Sequence, residues 1–393
     1  MLPRISVVIP TYNRHEPLNR CLAALAAQTC RDFEVIVVDD GSDPPVQSLL
    51  TPEFAGSPIV TVLRAPANGG PGRARNLGVA AARGEFVAFI DDDVVADHRL
   101  LERHLARAEA SHGRLVQFGP LAAPADWRPT PWNLWEARTL EIEYRRMQRG
   151  SYSPTWKQFF TGNAFLSKAD FLAAGGFDER FTRAEDIELG YRLEKAGGRF
   201  AFVPDAVGWH YSDRSLTSWL RIPRDYARFD VVIDALHPEM GWLKHVQRQQ
   251  KRRHAYTRLA GRILSGLSIE TAGVQVAVRI ARLTHRVGLH RVTLPVLSFA
   301  YAVEYSRALR DATLAFDLAI FGSAWNYRGG GRIVHPLEPV YDAASRVLVL
   351  GTMPSPRSRA EGFYYMHPGN RFWPVLAEVF DPGAVSAGRV PRT

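Results

Sequence analysis

Apolar runs alternate with amphipathic stretches along the N-terminal part of the chain. Four of the runs are short and uninterrupted, at residues 5–9, 34–38, 59–63 and 86–90. Such runs are typical of strands that are buried on both faces of a sheet. Between these runs, the spacing of Leu18, Cys21, Leu22 and Leu25 predicts a first helix. A second helix is predicted over 71–82, with proline in its first turn. Strands that alternate with helices predict an α/β fold with a mainly parallel sheet and flanking helices.

The pattern changes along the rest of the chain. Residues 120–160 are rich in tryptophan and predict an irregular segment, whereas residues 163–210 return to alternating strand and helix. A helical, basic pattern follows over 215–325, and glycines at 329–331 predict a break before a different C-terminal segment. We therefore expect three parts, at residues 1–215, 216–328 and 332–393.

The composition is that of a globular protein that suits anionic partners. Of the 393 residues, 46% are hydrophobic and 23% are charged, and the formal net charge is +9. This charge suits nucleotides, nucleic acid or acidic lipid surfaces, and it does not choose among them. Two cysteines, Cys21 and Cys30, cannot build a disulfide framework, so we expect a reducing, cytoplasmic compartment. Apolar runs are shorter than the roughly 18 residues of a spanning helix, so contact with the inner membrane face is expected to be peripheral.

Polar residues follow the first two predicted strands. Pro10, Thr11, Tyr12 and Arg14 form a turn after the first strand, where Tyr12 can stack on a nucleobase and Arg14 can face a phosphate. Asp40 follows the second strand, where a carboxylate can accept hydrogen bonds from a base or a ribose. An ordinary turn or helix N-cap uses the same residue types. Because ligands bind beyond the carboxyl ends of such strands, we predict that a nucleotide donor binds at this edge of the sheet.

A glycine-rich turn at residues 68–76 precedes the second predicted helix. It lacks the third glycine of the dinucleotide-binding fingerprint and does not follow the first strand, so that interpretation fails. Arg73 and Arg75, near the start of the helix, can still meet a diphosphate. A solvated basic turn is the alternative.

Three consecutive carboxylates, Asp91, Asp92 and Asp93, follow the fourth predicted strand. In extended chain, residues i and i+2 share a face, so Asp91 and Asp93 are expected to point the same way. Carboxylates this close repel one another unless a cation lies among them. Oxygen ligands suit Mg²⁺ or Mn²⁺, whose shell is commonly completed by substrate phosphates. A polar acidic loop without a metal is the alternative.

Further candidates lie in the second half of the sheet region. Glu185 and Asp186 open a predicted helix, where neighbouring carboxylates can raise a pKa and produce a proton acceptor. Acidic residues also favour a first helical turn for electrostatic reasons alone. His210 follows another strand and can complete a metal shell or serve a structural role. A polar turn expected to face an acceptor comprises Thr161, Gly162 and Asn163.

Read in order, these segments resemble family 2 glycosyltransferases of the GT-A fold. The resemblance covers roughly residues 3–215, and the segments that carry it are VVIPTYNR, EVIVVDDGS, GRARNLGVAAARGEFVAFIDDD, TGNAFLSK, GGFDERFTRAEDIELGYRL and GWHY. The combination in this order is specific, whereas each piece alone is weak. The resemblance implies a GT-A sheet that binds a nucleotide-diphospho-sugar donor.

The resemblance also implies roles at the matching positions. Asp40 is expected to bind the base or ribose with Tyr12 beside it. The run 91–93 stands at the family's metal motif, with Asp93 as the direct ligand of Mn²⁺ or Mg²⁺, and His210 lies where relatives contact the metal or the diphosphate.

For catalysis, the resemblance implies that Asp186 is the base and that Glu185 helps to hold the acceptor. The implied reaction is a single displacement with inversion, in which the base deprotonates an acceptor hydroxyl. The acceptor is expected to be a saccharide or a lipid-linked sugar.

The C-terminal segment resembles a different family. HPLEPVYD, SRVLVLGTMPSPRS and GFYYMHPGNRFWPVL are similar to the start of a uracil-DNA glycosylase superfamily member of the deoxyinosine kind. The resemblance implies that Gly351 lies near a flipped base and that Asn370 positions water. The segment is shorter than such a domain, and so small a piece buries little surface. We expect a product of gene fusion, frameshift or truncation rather than a base-excising enzyme.

Three functions therefore compete. A glycosyltransferase is favoured by the ordered acidic motifs at strand ends. A DNA glycosylase rests on the C-terminal segment, and nucleic acid is not our expected partner. A non-catalytic nucleotide-sugar or membrane-surface binding protein rests on the basic stretch 215–325, which can dock on anionic lipid or form a solvated helix face.

Overall fold

A computed structural model describes residues 2–111, 113–252 and 270–322. The predicted break at 329–331 and the segment 332–393, with Gly351 and Asn370, lie outside the described residues. Besides short 3₁₀ turns, the described residues form, in chain order, β1 Ile5–Thr11, α1 His15–Ala26, β2 Phe33–Asp39, α2 Pro52–Ala55, β3 Val60–Arg64, α3 Pro71–Ala81, β4 Phe86–Ile90, β5 Val94–Ala96, α4 Leu100–Glu109, β6 Leu115–Phe118, β7 Leu121–Ala122, α5 Pro131–Gln148, β8 Asn163–Ser167, α6 Lys168–Ala173, α7 Glu185–Lys195, β9 Arg199–Phe202, β10 Gly208–His210, α8 Leu216–Leu236, α9 Trp242–Arg252, α10 Glu270–Arg286 and α11 His290–Gly322.

A mixed seven-stranded sheet with the order β3-β2-β1-β4-β8-β6-β9 forms the centre of the fold. The first four strands in sequence are mutually parallel, as predicted, whereas β8 runs antiparallel to both β4 and β6. A smaller sheet with the order β5-β10-β7 lies beside it. The α/β class with flanking helices is therefore confirmed, and the strands that end in Thr11, Asp39 and Ile90 share one edge.

The apolar runs form the two faces of this sheet. Ile5, Val7, Val8 and Ile9 of β1 are fully buried, because their side chains enter separate apolar clusters on opposite faces. The predicted helical positions Leu18, Cys21, Leu22 and Leu25 are all buried on the inner side of α1. Burial of a Val, Leu or Ile side chain contributes about 1.5 to 3 kcal/mol, so these runs hold β1 and α1 in place.

Helix α3 lies very close to the sheet at Gly78. A methyl group at this position would overlap Val8 Cγ1 and lie 3.1 Å from Val38 Cγ2. We expect Gly78→Ala to destabilise the protein by about 1 to 3 kcal/mol, because the added carbon overpacks the contact between α3 and β1. Urea unfolding measures this loss. Gly56→Ala is the control, since the same carbon meets nothing within 4 Å there, and an equal loss in both variants would contradict the close packing.

The tryptophan-rich segment is partly helical, which corrects the prediction of an irregular stretch over residues 120–160. Helix α5 spans 18 residues, begins with Pro131 at its first position and is capped by the Thr130 side chain. Trp132 is buried, and the Trp135 indole donates to Ser298 Oγ at 2.8 Å. The apolar side of α5 therefore faces other helices, so its tryptophans signal helix packing rather than loop structure.

The basic helical stretch packs against the sheet region. Met1–Arg310 forms one compact unit, and the division at residue 215 stays a prediction. Within the first unit, Trp219 of α8 packs in a cluster with Val278 of α10 and Leu297 of α11. Within the described ranges, every helix falls short of the length or apolar character that a bilayer span demands.

Candidate active site

A cleft of about 1360 Å³ opens at the carboxyl ends of β1, β2 and β4. This is more than a single drug-sized ligand fills, and it leaves room for a donor and an acceptor side by side. Most of the predicted site residues line the cleft: Pro10, Thr11, Tyr12, Arg14, Asp40, Asp91, Asp92, Asp93, Thr161, Gly162, Glu185, Asp186 and His210.

The two aspartates at the end of β2 have different tasks. Asp39 faces away from the cleft and accepts hydrogen bonds from Ser42 N at 2.7 Å and Arg64 Nη1 at 2.9 Å. Burial opposes its ionisation, but these hydrogen bonds outweigh burial and lower its pKa. Asp40 lines the cleft and accepts from Gly69 N at 3.0 Å and Gly70 N at 2.8 Å. It therefore fixes the glycine-rich turn against the floor of the cleft.

The three carboxylates after β4 lie in a turn rather than in extended chain. Val94 N donates to Asp91 O at 3.1 Å, which closes the turn. The prediction that Asp91 and Asp93 share a face is therefore wrong: Asp91 pairs with Arg75, whereas Asp92 and Asp93 both pair with Arg14. A carbon added at Gly162 would lie 2.9 Å from Asp91 Oδ2, so glycine is required there for the carboxylate to fit.

Arg14 holds the buried pair of carboxylates together. Its guanidinium lies 2.9 Å from Asp92 Oδ1 and 2.9 Å from Asp93 Oδ2, and the Thr11 hydroxyl donates to Asp92 Oδ2 at 2.7 Å. Burial raises the pKa of Asp92 to about 7, against the opposing charge of Arg14. Burial also opposes ionisation of Asp93, but the charges of His210 and Arg14 outweigh it and hold the pKa well below the usual range. The cleft thus keeps Asp93 ionised at any physiological pH.

His210 reaches the same carboxylate from the smaller sheet. Its Nε2 atom lies 3.4 Å from Asp93 Oδ2, and only 18% of the side chain is exposed. Burial lowers the pKa of the imidazole, but the negative charge of Asp93 outweighs burial and raises it. The pairing of β10 with β5 sets His210 opposite Val94, which explains how the histidine meets the acidic turn.

Arg75 connects the acidic turn with the start of α7, a role that the sequence analysis did not assign. Its guanidinium donates to Asp91 Oδ1 at 2.7 Å and to Glu185 Oε1 at 3.0 Å, while its Nε has no hydrogen-bond partner. The side chain is buried, since the residue is 3% exposed. The sequence suggested a contact with a diphosphate, whereas Arg75 lies on the buried side of α3 and bonds to two carboxylates.

Helix α7 presents its first two carboxylates to the cleft. The preceding residue, Ala184, has a φ of 60°, a left-handed conformation that costs about 1 to 2 kcal/mol for a non-glycine residue. Such strain is common where a functional group must be held in place. Burial, followed by the negative charge of Glu185, raises the pKa of Asp186 to about 7. Asp186 therefore has the pKa of a proton acceptor that works near neutrality.

The side chains of the acidic turn and His210 suit a hard divalent cation whose coordination shell is completed by a bound ligand. Among the described residues, no three His, Cys, Asp or Glu side chains converge closely enough to hold an ion by themselves. Asp93 and His210 offer an ionised oxygen and an imidazole nitrogen 3.4 Å apart. Mg²⁺ is commonly bound through one or two carboxylates, with waters and substrate phosphates in the other positions. A pair of protein ligands beside an open cleft therefore suits such an ion.

Within the described part of the chain, two predicted site residues do not line the cleft. Asn163 is 1% exposed, and its amide bonds to Ala206 O at 2.8 Å and to His104 Nε2 at 3.1 Å, so it joins β8 to α4 and to the segment before β10. Arg73 lies beside Glu179 at 3.9 Å. Its charge nevertheless counteracts the burial that raises the pKa of Asp40. Both side chains have polar partners outside the cleft, which the local sequence did not reveal.

Aromatic and charged side chains from the helices also line the cleft, and none of them was predicted from the sequence. Helices α5, α8 and α11 contribute Trp135, Tyr226 and Tyr301, and Arg183 lies next to α7. The Arg183 guanidinium lies 6.0 Å from the Tyr226 ring centre, and its buried Nε has no hydrogen-bond partner. Aromatic faces with polar tips are suited to ligands that have both apolar and hydroxylated surfaces.

Comparison with known proteins finds relatives for the sheet region. Residues 6–171 match the model of glycosyl transferase family 2. A validoxylamine A glucosyltransferase from Streptomyces hygroscopicus subsp. limoneus is 34% identical over 226 residues, which cover 50% of this chain and 49% of the relative. A pre-mycofactocin glycosyltransferase from Mycobacterium tuberculosis is 30% identical over 237 residues, which cover 60% of this chain and 48% of the relative. The chain thus spans about half the length of these curated relatives.

A solved structure shares the fold. The mannosyltransferase from Pyrobaculum calidifontis in complex with GDP-Man and Mn²⁺ superimposes with a TM-score of 0.51 and 18% sequence identity, covering 78% of this chain and 87% of that chain. Identity this low shows the fold alone. Together with the mixed sheet, this likeness shows a fold of the GT-A type, and residues 6–171 are similar to glycosyl transferase family 2.

Proposed function

We propose that the chain transfers a sugar from a nucleotide-diphospho-sugar to an acceptor hydroxyl, with inversion at the anomeric carbon. The observation that carries the proposal is the Arg75 guanidinium, which bonds to Asp91 in the acidic turn and to Glu185 at the start of α7. One guanidinium thus joins a candidate diphosphate site to a carboxylate pair that can accept a proton. The groups proposed to bind the sugar donor and those proposed to activate the acceptor then line one cleft.

The donor half of the proposal rests on Asp40 and Tyr12. Asp40 is held by two backbone N–H groups and lines the cleft, so its carboxylate is positioned to accept from a base or ribose. Tyr12 is 46% exposed, which leaves its ring face free for stacking. Arg14 adds a cation that can face the diphosphate, as the phosphates compete with Asp92 and Asp93 for its guanidinium.

A divalent cation, Mn²⁺ or Mg²⁺, would be held by Asp93 and His210, with Asp91 adjacent. When bound, it neutralises the charge that develops on the leaving nucleoside diphosphate. The ionised state of Asp93 and the low exposure of both side chains support this assignment.

The acceptor half rests on Asp186. A hydroxyl is a weak nucleophile, and a carboxylate with a pKa of about 7 can remove its proton as the bond to the sugar forms. Glu185, bonded to Arg75, lies beside Asp186 and orients the acceptor. Thr161 and Gly162, with the aromatic wall, form the surface on which a saccharide or lipid-linked acceptor lies.

A donor screen tests the proposal. The chain is incubated with Mn²⁺ and each of several uridine, guanosine and thymidine diphospho-sugars, and release of nucleoside diphosphate is measured. We expect slow hydrolysis of one donor class without acceptor and faster release with hydroxylated acceptors. Absence of both binding and release with every donor would overturn the proposed function.

A further inference from the structure

Helix α10 exposes an apolar stripe that nothing in the proposed chemistry uses. Val276, Ile280 and Leu283 recur at intervals of four and three residues, so they lie on one side of the helix, and Val287 follows in the turn just after Arg286. All four are exposed, and Leu283 is 65% exposed. A contiguous exposed apolar surface of this kind marks an interaction site.

The opposite side of the same helix accounts for the attachment of α10 to the fold. Val274, Ala277, Val278 and Ala281 are buried against α8 and α11. This buried side already holds the helix in place. The folding of the described region therefore does not explain why the exposed stripe is apolar. Leu289 and Val292, exposed at the start of α11, continue the apolar surface.

The charge around the stripe indicates its partner. Residues 271–303 contain no aspartate or glutamate, and they contain Arg279, Arg282, Arg286 and Arg291. Arg279 and Arg286 lie beside the stripe on the exposed surface of α10. An apolar stripe bordered by arginines and free of carboxylates is the pattern of a helix that lies in a membrane interface, where arginines meet anionic headgroups.

We propose that α10 docks the protein on an anionic bilayer surface, with the stripe in the interface and the arginines at the headgroups. The proposal is independent of sugar transfer. Because α10 packs on α8, which lines the cleft, docking holds the cleft next to the membrane. A second copy of the chain is the competing partner for an apolar stripe, and the absence of carboxylates argues against it because such a contact would juxtapose like charges.

Vesicle flotation of the full chain tests the docking surface. With phosphatidylcholine and phosphatidylglycerol at about 3:1, we expect binding at least about tenfold tighter than with phosphatidylcholine alone, and weaker binding in high salt. Ile280→Ser with Leu283→Ser is expected to weaken this binding by at least about tenfold. The matched control is Ile142→Ser with Leu172→Ser, since both control residues are 54% exposed.

A charge pair provides the second variant. Arg279→Glu with Arg286→Glu is expected to weaken binding at least about tenfold, whereas Arg107→Glu with Arg149→Glu, which changes the net charge equally, retains it. Donor hydrolysis should be unchanged in all four variants. The proposal is overturned if the wild type ignores anionic vesicles or if either control pair loses as much binding. It is equally overturned if light scattering finds a dimer that the Ile280 and Leu283 substitutions dissociate.

Discussion

Asp186→Asn is expected to lower kcat by about a hundredfold to ten-thousandfold, the range that a general base contributes. Asparagine keeps the size of the side chain and cannot accept the proton. Nucleotide-sugar binding should change little, because Asp186 lies on the acceptor side. In the wild type, activity should rise with pH through about 7, since only the ionised carboxylate accepts a proton. Steady-state rates of nucleoside diphosphate release between about pH 5.5 and pH 8.5, roughly 1.5 units to either side of 7, measure both effects.

The free energy of unfolding distinguishes a loss of catalysis in Asp186→Asn from a loss of folding. A folded-state pKa of about 7, above the usual 3.8, means that the folded protein binds the proton more tightly than the unfolded chain does. Stability is therefore lost as pH rises through 7, and Asp186→Asn should raise it at pH 8 by on the order of 1 to 2 kcal/mol after screening by solvent. Asp205→Asn, whose side chain is 65% exposed, is the control. An Asp186→Asn variant that retains full turnover would exclude Asp186 as the base.

Asp93→Asn is expected to reduce both donor binding and turnover, each by at least about a hundredfold. The substitution removes the ionised oxygen that faces His210 and Arg14 and leaves a neutral amide at the candidate cation site. Binding of nucleoside diphosphates in the presence of Mn²⁺, measured by calorimetry, is the readout. Glu34→Gln is the matched control, because Glu34 is a buried carboxylate that pairs with Arg83 outside the cleft.

The two substitutions should therefore differ in kind. Asp186→Asn keeps donor binding and loses transfer, whereas Asp93→Asn loses both. If Asp93→Asn binds a nucleoside diphosphate and Mn²⁺ as tightly as the wild type does, the acidic turn has no part in holding the donor.

Local periodicity predicted the half of the sheet that carries the donor edge. The apolar runs gave strands β1, β2, β3 and β4 to within two residues at each end, and the strand ends located Asp40 and the acidic run. These features depend on neighbouring residues along the chain. Helix α5 was missed because tryptophans, prolines and polar residues obscure its periodicity, and its packing partners lie far along the chain in α8, α10 and α11.

Side-chain pairing could not be predicted, because it depends on contacts between distant segments. The alternation of side chains along a strand predicted that Asp91 and Asp93 share a face. The chain instead turns after Ile90, and Arg14 pairs with Asp92 and Asp93. Asn163 resembled a cleft residue by its position in a polar turn, but His104 and the backbone of Ala206 bind its amide. Only the folded sheet brings these groups together.

Calorimetry of Mn²⁺ and a nucleoside diphosphate tests the central proposal that Asp93 holds a cation shared with the donor's phosphates. Uridine and guanosine diphosphate are each titrated with and without Mn²⁺. We predict that Mn²⁺ tightens binding of one of these nucleotides by at least about tenfold, and that the nucleotide tightens Mn²⁺ binding by the same factor. Asp93→Asn should abolish this coupling, whereas Glu34→Gln should preserve it. Binding without mutual enhancement, or enhancement that survives in Asp93→Asn, would contradict the proposal.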